Sequence, residues 1–277
     1  MNFSVTQKER LWELGCPKEE LERNFLEAGT RNKTFALLEK QRAKQTKERL
    51  RAFVTEGRQP SLAGLRQALA AALAAGGFTR LETPAIISKE FLRRMSLAEE
   101  HPLNDQVFWL DDRRCLRPML APNLYCVSRR LLNVCAKPLR VFEIGSCFRR
   151  ESSGARHLEE FTMLNLAEWG TPLEERQSRV RDLAKLVMTA AAVPDFEFTP
   201  EKSALYGETL DVTRGGWELG SSAMGPHPLD AAWGITDSWV GIGFGLERLL
   251  AAREQPNTIH AYGRSLTYLD GAALNVK

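Results

Sequence analysis

The amino-acid sequence predicts an α+β fold, in which a mainly antiparallel sheet is flanked by helices and preceded by a small N-terminal helical unit. Strand-like runs recur between residues 107 and 244, and they are joined by hairpins and long loops. Segments with helical spacing lie between only some of these runs, which favours a sheet that carries helices as a separate layer. Ahead of residue 56, the segments with a clear pattern have helical spacing.

The N-terminal elements are predicted to be helices. Residues 7–14 have helical spacing, and a second helix begins at Pro17, because proline is tolerated in the first turn of a helix. A long helix is predicted over 33–55, where apolar residues are spaced among basic ones. These three helices account for the predicted N-terminal unit.

The segment EGRQP at 56–60 is the best boundary in the chain, because it combines glycine and proline. It separates an N-terminal region over 1–58 from a second region over 59–277. Ser61 is expected to cap the first helix of the second region. Helices are predicted there over 61–75, 116–130, 174–192 and 246–254. Strands are predicted over 107–110, 141–144, 161–166, 209–212, 217–219 and 239–244.

The composition is that of an ordinary globular protein. Of the 277 residues, 43% are hydrophobic and 26% are charged, and no apolar run approaches the roughly 18 residues that span a bilayer. The first residues lack the apolar block of a signal peptide. The five cysteines lack the spacing of metal ligands and favour free thiols in a reducing compartment. We therefore expect a cytoplasmic protein with no structural metal and no membrane contact.

Residues 240–250 (VGIGFGLERLL) are the most informative stretch. Gly241, Gly243 and Gly245 alternate along a predicted strand and share one face, and a face without side chains lets a flat group lie against the backbone. Arg248 follows at the start of a predicted helix. A flat floor that ends in an arginine suits a planar, anionic ligand such as a nucleotide. From these residues alone, a buried glycine-rich strand packed against a helix is an equal alternative.

A second segment favours the nucleotide. The run VFEIGSCFRR at 141–150 is a predicted strand, a small polar loop follows, and HLEEF at 157–161 leads into another strand, which indicates a hairpin. The residues near its loop are Arg149, Glu151, His157 and Phe161. This hairpin and the glycine-rich strand resemble motifs 2 and 3 of class II aminoacyl-tRNA synthetases. The helix over 61–75 and the following strand, which ends in proline, resemble motif 1.

The resemblance is closer to one family within that class. The strings LRPMLAPNLY at 116–125, FEIG at 142–145 and HLEEFTMLN at 157–165 resemble the pyrrolysyl-tRNA synthetase family, and the similarity covers almost the whole chain. Longer members add an N-terminal tRNA-binding domain, so we expect a short member that works without it. The alternatives are a phenylalanyl-type class II synthetase, whose pocket has no use for an amide-binding asparagine, and a non-catalytic module that binds tRNA or a nucleotide.

The resemblance implies a pocket for the amino acid. Asn165 matches the asparagine that binds the amide carbonyl of the pyrrolysine side chain, and Tyr206 matches a mobile tyrosine that closes over the ligand. Ala167 departs from the family, which usually has cysteine or valine there, and predicts a wider cavity. The other positions that match the pocket are Ala121, Leu124, Tyr125, Trp239 and Gly241. Asn165 is the most informative, because a buried polar side chain needs a partner, whereas the apolar positions also suit an ordinary core.

The resemblance also implies that ATP and Mg²⁺ bind beside this pocket. Arg149 is expected to contact the α-phosphate and the substrate carboxylate, because a guanidinium can bind two oxygens. Arg248 and Phe161 would lie on the two faces of the adenine, above Gly243 and Gly245. The two arginines are the catalytic candidates, because activation requires positioning and charge neutralisation rather than a general base.

Four further residues complete the implied ATP site. Glu151 would accept a hydrogen bond from the adenine amino group, and His157 could reach the terminal phosphate. Glu218 and Ser221 match the metal-binding pair of the family, which would hold Mg²⁺ together with the phosphates. The alternative for this pair is a carboxylate at a strand edge and a serine in a turn.

The implied partners are the amino-acid substrate, a cognate suppressor-type tRNA and a second copy of the chain in a homodimer. The charge distribution supports the tRNA, since residues 31–58 contain nine Lys or Arg and three Asp or Glu. A cationic helix attracts the phosphate backbone and speeds encounter. Taken alone, the same helix is more simply interpreted as a solvated face.

Overall fold

The computed structural model describes residues 1–97, 101–150, 158–203 and 205–276. The α-helices in these residues are α1 Val5–Glu13, α2 Lys18–Leu21, α3 Ala28–Thr55, α4 Ser61–Ala75, α5 Lys89–Arg94, α6 Pro102–Asp105, α7 Ala121–Leu131, α8 Arg176–Ala190, α9 Asp230–Trp233 and α10 Leu246–Glu254. The strands are β1 Thr79–Leu81, β2 Ile86–Ser88, β3 Arg114–Leu116, β4 Leu139–Phe148, β5 Glu160–Trp169, β6 Glu197–Ser203, β7 Gly207–Arg214, β8 Trp217–Gly225, β9 Trp239–Gly245, β10 Tyr268–Leu269 and β11 Ala272–Ala273. None of the helices in the described residues is long and apolar enough to cross a lipid bilayer.

The described residues form two compact units. The smaller unit contains Met1–Gly64 and residues 254–276, and the larger contains residues 65–150 and Leu158–Arg253. In the smaller unit α1 packs against α2 and α3. The buried members of its core are Phe3, Leu11, Cys16, Leu21 and Leu38. The predicted N-terminal helices are confirmed, although α3 begins at Ala28 rather than at residue 33. The assignment of residues 1–58 to tRNA contact and of residues 59–277 to a class II catalytic core stays a prediction.

The start of α4 corrects the expected cap. Ser61 is the first residue of this helix rather than the residue before it. Its backbone N–H donates to Asp270 Oδ1 at 2.7 Å, so a carboxylate from the C-terminal segment satisfies an N-terminal donor that a local serine was expected to satisfy. A negative charge at this end also interacts favourably with the helix dipole.

The larger unit is built on a sheet of seven described strands in the order β1-β4-β5-β9-β8-β7-β6. Strand β1 runs parallel to β4, and the other neighbouring pairs in this sheet are antiparallel. Helix α8 packs against β9, and its buried residues recur at helical spacing. They are Val180, Leu183, Ala184, Val187 and Met188. The predicted α+β fold with a mainly antiparallel sheet is confirmed.

One predicted element in the larger unit is wrong, and another begins later than predicted. The segment 107–110 is not a strand, since only Trp109 pairs there, in an isolated bridge with Cys115. The helix predicted over 116–130 begins at α7, after β3 has ended. The reason is Pro118, because proline in a helix interior removes a hydrogen bond and clashes with the preceding turn.

Strand β6 was not predicted, because its residues are mostly polar and include Pro200. It lies at the edge of the sheet, where it pairs with β7 alone among the described strands. Proline is tolerated at a sheet edge because one side of the strand has no ladder partner. The edge position, which only the folded sheet defines, therefore explains the missed strand.

Candidate active site

A cavity of about 240 Å³ lies over the centre of the sheet in the larger unit. Its floor is formed by β5, β9 and β8, whose registers arrange their residues in rows. From one end, the rows are Trp169–Trp239–Gly225, Ala167–Gly241–Ala223 and Asn165–Gly243–Ser221. Successive rows are two residues apart along each strand, which is about 6.6 Å. The floor therefore changes from aromatic to small and then to polar along the cavity.

The aromatic end is built from rings in contact. Tyr125 of α7 stacks on Trp233, with ring centroids 5.5 Å apart. It meets Trp169 and Trp239 edge-on, at 5.3 Å and 5.7 Å. Trp239 also lies against the backbone of Gly225, where a Cβ atom would be 1.8 Å from Trp239 Nε1. Any residue larger than glycine at position 225 would therefore displace this ring.

A buried carboxylate, Asp230, binds two of these rings. Its Oδ1 accepts a hydrogen bond from the Tyr125 hydroxyl at 3.0 Å, and its Oδ2 accepts from Trp239 Nε1 at 2.9 Å. Oδ2 also accepts from the backbone N–H of His227 at 2.7 Å. Burial raises the pKa of Tyr125, and the nearby Tyr206 and Asp230 add to the effect. The hydroxyl of Tyr125 therefore stays protonated and can serve as a donor.

The middle row is made of small residues. Ala167 pairs with Gly241, and Gly241 pairs with Ala223, so no side chain larger than a methyl group rises from this part of the floor. Tyr206 lies on the same cavity, with its ring centroid 6.5 Å from that of Trp239, and burial raises its pKa. The middle row leaves space for a bulky group next to the aromatic end.

The polar row contains Asn165. Its side-chain amide lies over Gly243, where an added Cβ would be 3.1 Å from Asn165 Oδ1. Among the described residues, Asn165 Oδ1 is buried without a hydrogen-bond partner. A carboxamide can present either its oxygen or its NH₂ group, because the two ends have nearly the same shape. Asn165 can therefore bind a polar group of a ligand within an otherwise apolar part of the cavity.

Arg149 lies at the other end of the cavity, directly after β4. Its Nε donates to the backbone oxygen of Pro118 at 2.9 Å, and its guanidinium carbon lies 5.3 Å from the centre of the Phe161 ring. Its backbone N–H donates to the backbone oxygen of Glu159 at 2.9 Å. These contacts hold a permanent positive charge at the cavity wall.

Arg248 stands at the start of α10, beside Glu218. Its Nη1 lies 3.2 Å from the backbone oxygen of Glu218 and 3.5 Å from the Oε2 atom of the same residue. Ser221, on the same strand as Glu218, donates its hydroxyl hydrogen to Asp211 Oδ1 at 2.6 Å. This end of the cavity therefore combines the positive charge of Arg248 with the carboxylate of Glu218 and the hydroxyl of Ser221.

A bulge in β8 turns Glu218 towards the cavity. Val212 pairs with Gly220 and the next residue of β7 pairs with Glu218, so Leu219 is an extra residue in β8. In a regular strand, residues three apart point to opposite faces, and Glu218 would point away from Ser221. Both residues line the cavity because the bulge reverses the alternation.

A buried ion pair supports the position of Arg149. Arg117 Nη1 lies 2.7 Å from Glu143 Oε1, with the two side chains 5% and 2% exposed. Both partners also bind Thr83, whose hydroxyl donates to Glu143 Oε2 at 2.7 Å and accepts from Arg117 Nη1 at 3.0 Å. The residue after Arg117 is Pro118, whose carbonyl binds Arg149. The ion pair therefore fixes the segment that holds the cavity arginine.

The structure brings most of the predicted site residues together. Those that line the cavity are Ala121, Leu124, Tyr125, Arg149, Asn165, Ala167, Tyr206, Glu218, Ser221, Trp239, Gly241 and Gly243. Three more lie beside the lining: Phe161 against Arg149, Arg248 against Glu218, and Gly245 next to Arg248. Glu151 and His157 lie outside the described residues. The roles assigned to all of these residues stay predictions.

The sequence interpretation missed Asp230, Arg117 and Glu143 as parts of the site. A signal was present, since Asp230 and Arg117 each stand in an apolar string, and a charged residue there needs a buried partner. The partners could not be identified from the sequence. Tyr125 is 105 positions from Asp230, and Glu143 is 26 positions from Arg117.

The chain is similar to known tRNA synthetases. The sequence model of the phenylalanyl tRNA synthetase beta chain CLM domain matches residues 47–224. A crystal structure of the pyrrolysyl-tRNA synthetase from Desulfitobacterium hafniense is 50% identical with a TM-score of 0.95, over 100% of this chain and 99% of that chain. This chain belongs to the pyrrolysyl-tRNA synthetase family. A second structure of a pyrrolysyl-tRNA synthetase from that organism is 49% identical with a TM-score of 0.92, over 99% of this chain and 96% of that chain.

Membership in the pyrrolysyl-tRNA synthetase family confirms the predicted resemblance and the class II synthetase fold. Residues 47–224 also belong to the family of the phenylalanyl tRNA synthetase beta chain CLM domain. This match agrees with the related motifs that phenylalanyl-type and pyrrolysyl-type catalytic cores share. The phenylalanyl-type alternative is not favoured, because two solved structures that match over the full length at 49–50% identity are pyrrolysyl-tRNA synthetases. The cavity whose floor changes from aromatic to small to polar residues is accordingly the candidate active site of this family member.

Proposed function

We propose that this chain ligates pyrrolysine, or a related Nε-acylated lysine, to its cognate suppressor-type tRNA through an aminoacyl-adenylate formed from ATP. The observation that carries the proposal is the order of groups along the cavity. An aromatic end is followed by a row of small residues, then by Asn165 with its unpaired amide oxygen, and then by Arg149 and Glu218. The solved relatives, which are pyrrolysyl-tRNA synthetases, support the same activity.

An Nε-acylated lysine has its chemical groups in the same order as the cavity. If its amide binds Asn165, the acyl group extends over Ala167 and Gly241 towards Trp239. The aliphatic chain then leads the α-carboxylate towards the arginine end. Phenylalanine is shorter and has no side-chain amide, so it would leave the polar group of Asn165 unpaired. A site built for a hydrogen bond discriminates strongly against a ligand that lacks it.

The activation step requires no general base, because the substrate carboxylate is already an ionised nucleophile. One of its oxygens forms a bond to the α-phosphorus of ATP, and pyrophosphate leaves with the electrons of the broken P–O bond. We assign to Arg149 the contact with the α-phosphate and the carboxylate. Its charge is permanent, and a guanidinium can donate parallel hydrogen bonds to two oxygens. Arg149 and Arg248 together offset the negative charge that develops on the phosphate oxygens. The 3′-hydroxyl oxygen of the terminal adenosine of the tRNA then forms an ester bond to the carbonyl carbon of the adenylate. AMP leaves with the electrons of the broken C–O bond, and the hydroxyl proton is released to solvent.

Adenine is proposed to lie between Arg248 and Phe161. Phe161 shares a face of β5 with Asn165, because residues two apart along a strand point to the same side. Gly243 and Gly245 on β9 present no side chain on the corresponding face, which lets a flat ring approach the backbone. The family resemblance assigns to Glu151 the hydrogen bond from the adenine amino group, and it places His157 near the terminal phosphate.

The oxygen donors of the site fit a magnesium ion that enters with ATP. The carboxylate of Glu218 and the hydroxyl of Ser221 both line the cavity, and Mg²⁺ prefers such oxygen ligands. Ser221 donates its hydrogen to Asp211, so its oxygen lone pairs remain for a metal. When bound, the ion would neutralise phosphate charge, and Glu218 and Ser221 would hold it with water in the remaining positions.

The amino-acid specificity is tested by ATP–pyrophosphate exchange with a panel of lysine derivatives that includes phenylalanine. The proposal expects exchange with Nε-acylated lysines and none above background with phenylalanine or unmodified lysine. Exchange driven by phenylalanine alone would overturn it in favour of a phenylalanyl-type enzyme. No exchange with any amino acid, in a protein that still binds tRNA or ATP, would favour a non-catalytic module.

Replacing Asn165 with alanine is expected to reduce kcat/KM for Nε-acylated lysines by up to about tenfold. A hydrogen bond between a protein and a ligand group contributes about 0.5–1.5 kcal/mol net, and more when the ligand group is left unpaired. Activity on bulkier derivatives can rise, because the change also opens space. The matched control is Asn133→Ala, which removes an exposed amide outside the cavity. Equal kcat/KM values for Asn165→Ala and the parent across the panel would show that Asn165 does not contact the substrate.

A basic groove in the smaller unit is the proposed contact for tRNA. Lys40, Lys44 and Lys47 of α3 line it together with Ala43, Asn275 and the ion pair between Arg10 and Glu39. The three lysines are three or four residues apart and therefore share one face of the helix. Phosphate groups bind such a face by releasing counterions.

Changing Lys40, Lys44 and Lys47 together to glutamine is expected to weaken tRNA binding without affecting pyrophosphate exchange. Each lost phosphate contact should lower the slope of log K against log salt by about 0.7–0.9. A triple change of Lys18, Lys33 and Lys185 to glutamine, which removes the same charge outside the groove, is the control. If the groove variant has the affinity and salt slope of the parent, the helix is a solvated face.

The same family assignment supports proposals for the assembly state and the location of the chain. A homodimer is proposed because the resemblance to the family implies a second copy of the chain as a partner. Light scattering after gel filtration tests it, and a monomer at micromolar concentration would contradict it. A tRNA ligase acts where tRNA is used in translation, which supports the predicted cytoplasmic location.

A further inference from the structure

The aromatic end of the cavity depends on a single carboxylate that does not itself line the cavity. Asp230 is 4% exposed. It stands behind the cavity residues Tyr125 and Trp239 and binds both of them through their polar atoms. Those two rings come from different elements, α7 and β9, which are far apart in sequence. The rings of Tyr125 and Trp239 form the far wall of the cavity, and Asp230 joins them through its two oxygens.

Both oxygens of Asp230 are in use. Oδ1 accepts from the hydroxyl of Tyr125, and Oδ2 accepts from Trp239 Nε1 and from the backbone N–H of His227. The His227 ring lies 5.7 Å from the Tyr206 ring, edge to face. The carboxylate thus binds two wall residues directly and fixes the segment against which a third, Tyr206, packs. Trp239 Nε1 and the His227 N–H can only donate, so they need an acceptor, and the second carboxylate oxygen is occupied by the Tyr125 hydroxyl.

We propose that Asp230 is a positioning residue that sets the depth of the amino-acid cavity and thereby the size of the acyl group that the enzyme accepts. This inference rests on the proposed function, since it concerns the far end of the same site. Tyr125 and Trp239 form the wall that an acyl group would meet. Ring packing holds them by non-directional contacts, whereas two hydrogen bonds to one carboxylate add a directional restraint on the distance between their polar atoms. The depth of the cavity is consequently defined by Asp230.

Replacing Asp230 with asparagine tests the proposal with little change in shape. The amide has an acceptor oxygen at only one end and presents a donor NH₂ group at the other. Its oxygen is needed by Trp239 Nε1 and the His227 N–H, so its NH₂ group can only donate to the Tyr125 oxygen. That bond is then reversed, and both rings bind a neutral amide instead of a charged carboxylate, which weakens their hydrogen bonds. We expect the wall to lose its fixed position while the rest of the site, from Asn165 to Arg149, is unchanged.

The measurement is ATP–pyrophosphate exchange with two substrates of different length, Nε-acetyl-lysine and Nε-cyclopentanecarbonyl-lysine. We expect the cyclopentane ring to reach the far wall and the shorter acetyl group to end before it. For the ring-bearing substrate, Asp230→Asn should lower kcat/KM about tenfold, mainly through KM, because apolar pocket contacts discriminate by about 10–200-fold. For Nε-acetyl-lysine the change should stay within about twofold. An equal loss on both substrates would indicate a merely structural role and would overturn the proposal.

Tyr125→Phe provides a second variant that keeps the ring and removes only the hydroxyl. It should reproduce part of the selective loss on the ring-bearing substrate. The double variant with Asp230→Asn should be no worse than Asp230→Asn alone, because the hydroxyl acts through the carboxylate. Additive losses would contradict this coupling. The charge-matched control is Asp195→Asn, which alters a carboxylate that is 84% exposed and paired with Arg214 at 3.7 Å.

The near-ultraviolet circular dichroism spectrum separates this proposal from the proposed function. The bands of packed tryptophan and tyrosine rings should change in Asp230→Asn and not in Asp195→Asn, with no substrate present. If the parent activates no lysine derivative, the proposed function fails, and the spectrum still decides whether Asp230 holds the rings. An unchanged spectrum in a folded Asp230→Asn variant would overturn the positioning role, whatever the activity of the parent. So would an unchanged ratio of kcat/KM between the two substrates.

Discussion

Replacing Arg248 with alanine is expected to lower the rate of ATP–pyrophosphate exchange by about 10²–10³-fold, the usual loss when one donor that stabilises developing charge is removed. The chain should remain folded. Arg248 is 38% exposed and its pair with Glu218, at 3.5 Å, is partly solvated, so the pair contributes little to stability. The loss should appear in kcat as well as in kcat/KM, because the proposed contact neutralises charge in the transition state.

The control for this prediction lies on the same helix. Arg253 donates to the backbone oxygen of Ala191, does not line the cavity, and can be changed to alanine to remove the same charge from α10. Arg248→Lys is a second comparison. It keeps the charge but loses the planar fork, so it should recover only part of the activity. Exchange within tenfold of the parent in a folded Arg248→Ala protein would falsify the assignment of this residue to the nucleotide site.

Breaking the buried ion pair beneath Arg149 is expected to have the largest effect on stability. Glu143→Gln removes the negative charge 2.7 Å from Arg117, and both side chains are almost fully buried. A buried charge left without its partner costs about 3–5 kcal/mol in the free energy of unfolding. The amide would also present a donor towards the donors of Thr83 and Arg117. Urea denaturation followed by circular dichroism measures the change.

An exposed ion pair serves as the control, because it shows how much stability is lost when an ion pair that is not buried is broken. Arg80 and Glu82 lie 2.9 Å apart, with side chains 45% and 78% exposed, so Glu82→Gln should change stability by less than about 1 kcal/mol. The double change of Arg117 to methionine and Glu143 to leucine should recover part of the stability lost in Glu143→Gln, because no unpaired charge remains. Equal effects of Glu82→Gln and Glu143→Gln would contradict the argument. Pyrophosphate exchange should fall in Glu143→Gln, since Pro118, which follows Arg117, holds Arg149.

The sequence alone predicted the fold class and most of the longer elements. Helices α4 and α10 and strand β9 have the expected positions, because their signals are local. Alternating glycines define the strand floor, and an alanine-rich helix needs no distant partner to be recognised. The strands β2, β3 and β6 were not predicted. Strands β2 and β3 have three residues each and pair with each other from positions about 30 residues apart, so they carry little local signal. Strand β6 is a mostly polar run that contains Pro200, which does not suggest a strand.

Many residues of the candidate site could also be predicted from the sequence, through motif spacing and the family resemblance. Twelve of the predicted residues line one cavity, although they lie between residues 121 and 243 in the chain. The sequence pattern did not identify the residues that hold those side chains in place. Asp230, Arg117 and Glu143 bind partners that come near only when β4, α7 and β9 assemble around the cavity.

What the sequence by itself determined is therefore the fold class, the glycine floor of β9 and the presence of Asn165 in an apolar strand, because each depends on residues near one another in the chain. Only the tertiary structure decided the orientation of Glu218, which regular alternation would direct away from Ser221 and which the bulge at Leu219 turns towards the cavity. The same holds for the capping of α4 by Asp270 and for the binding of Tyr125 and Trp239 to Asp230. In each case a polar group removed from water takes whichever partner the packed chain brings within hydrogen-bond distance, and that partner lies too far along the sequence for a local pattern to identify.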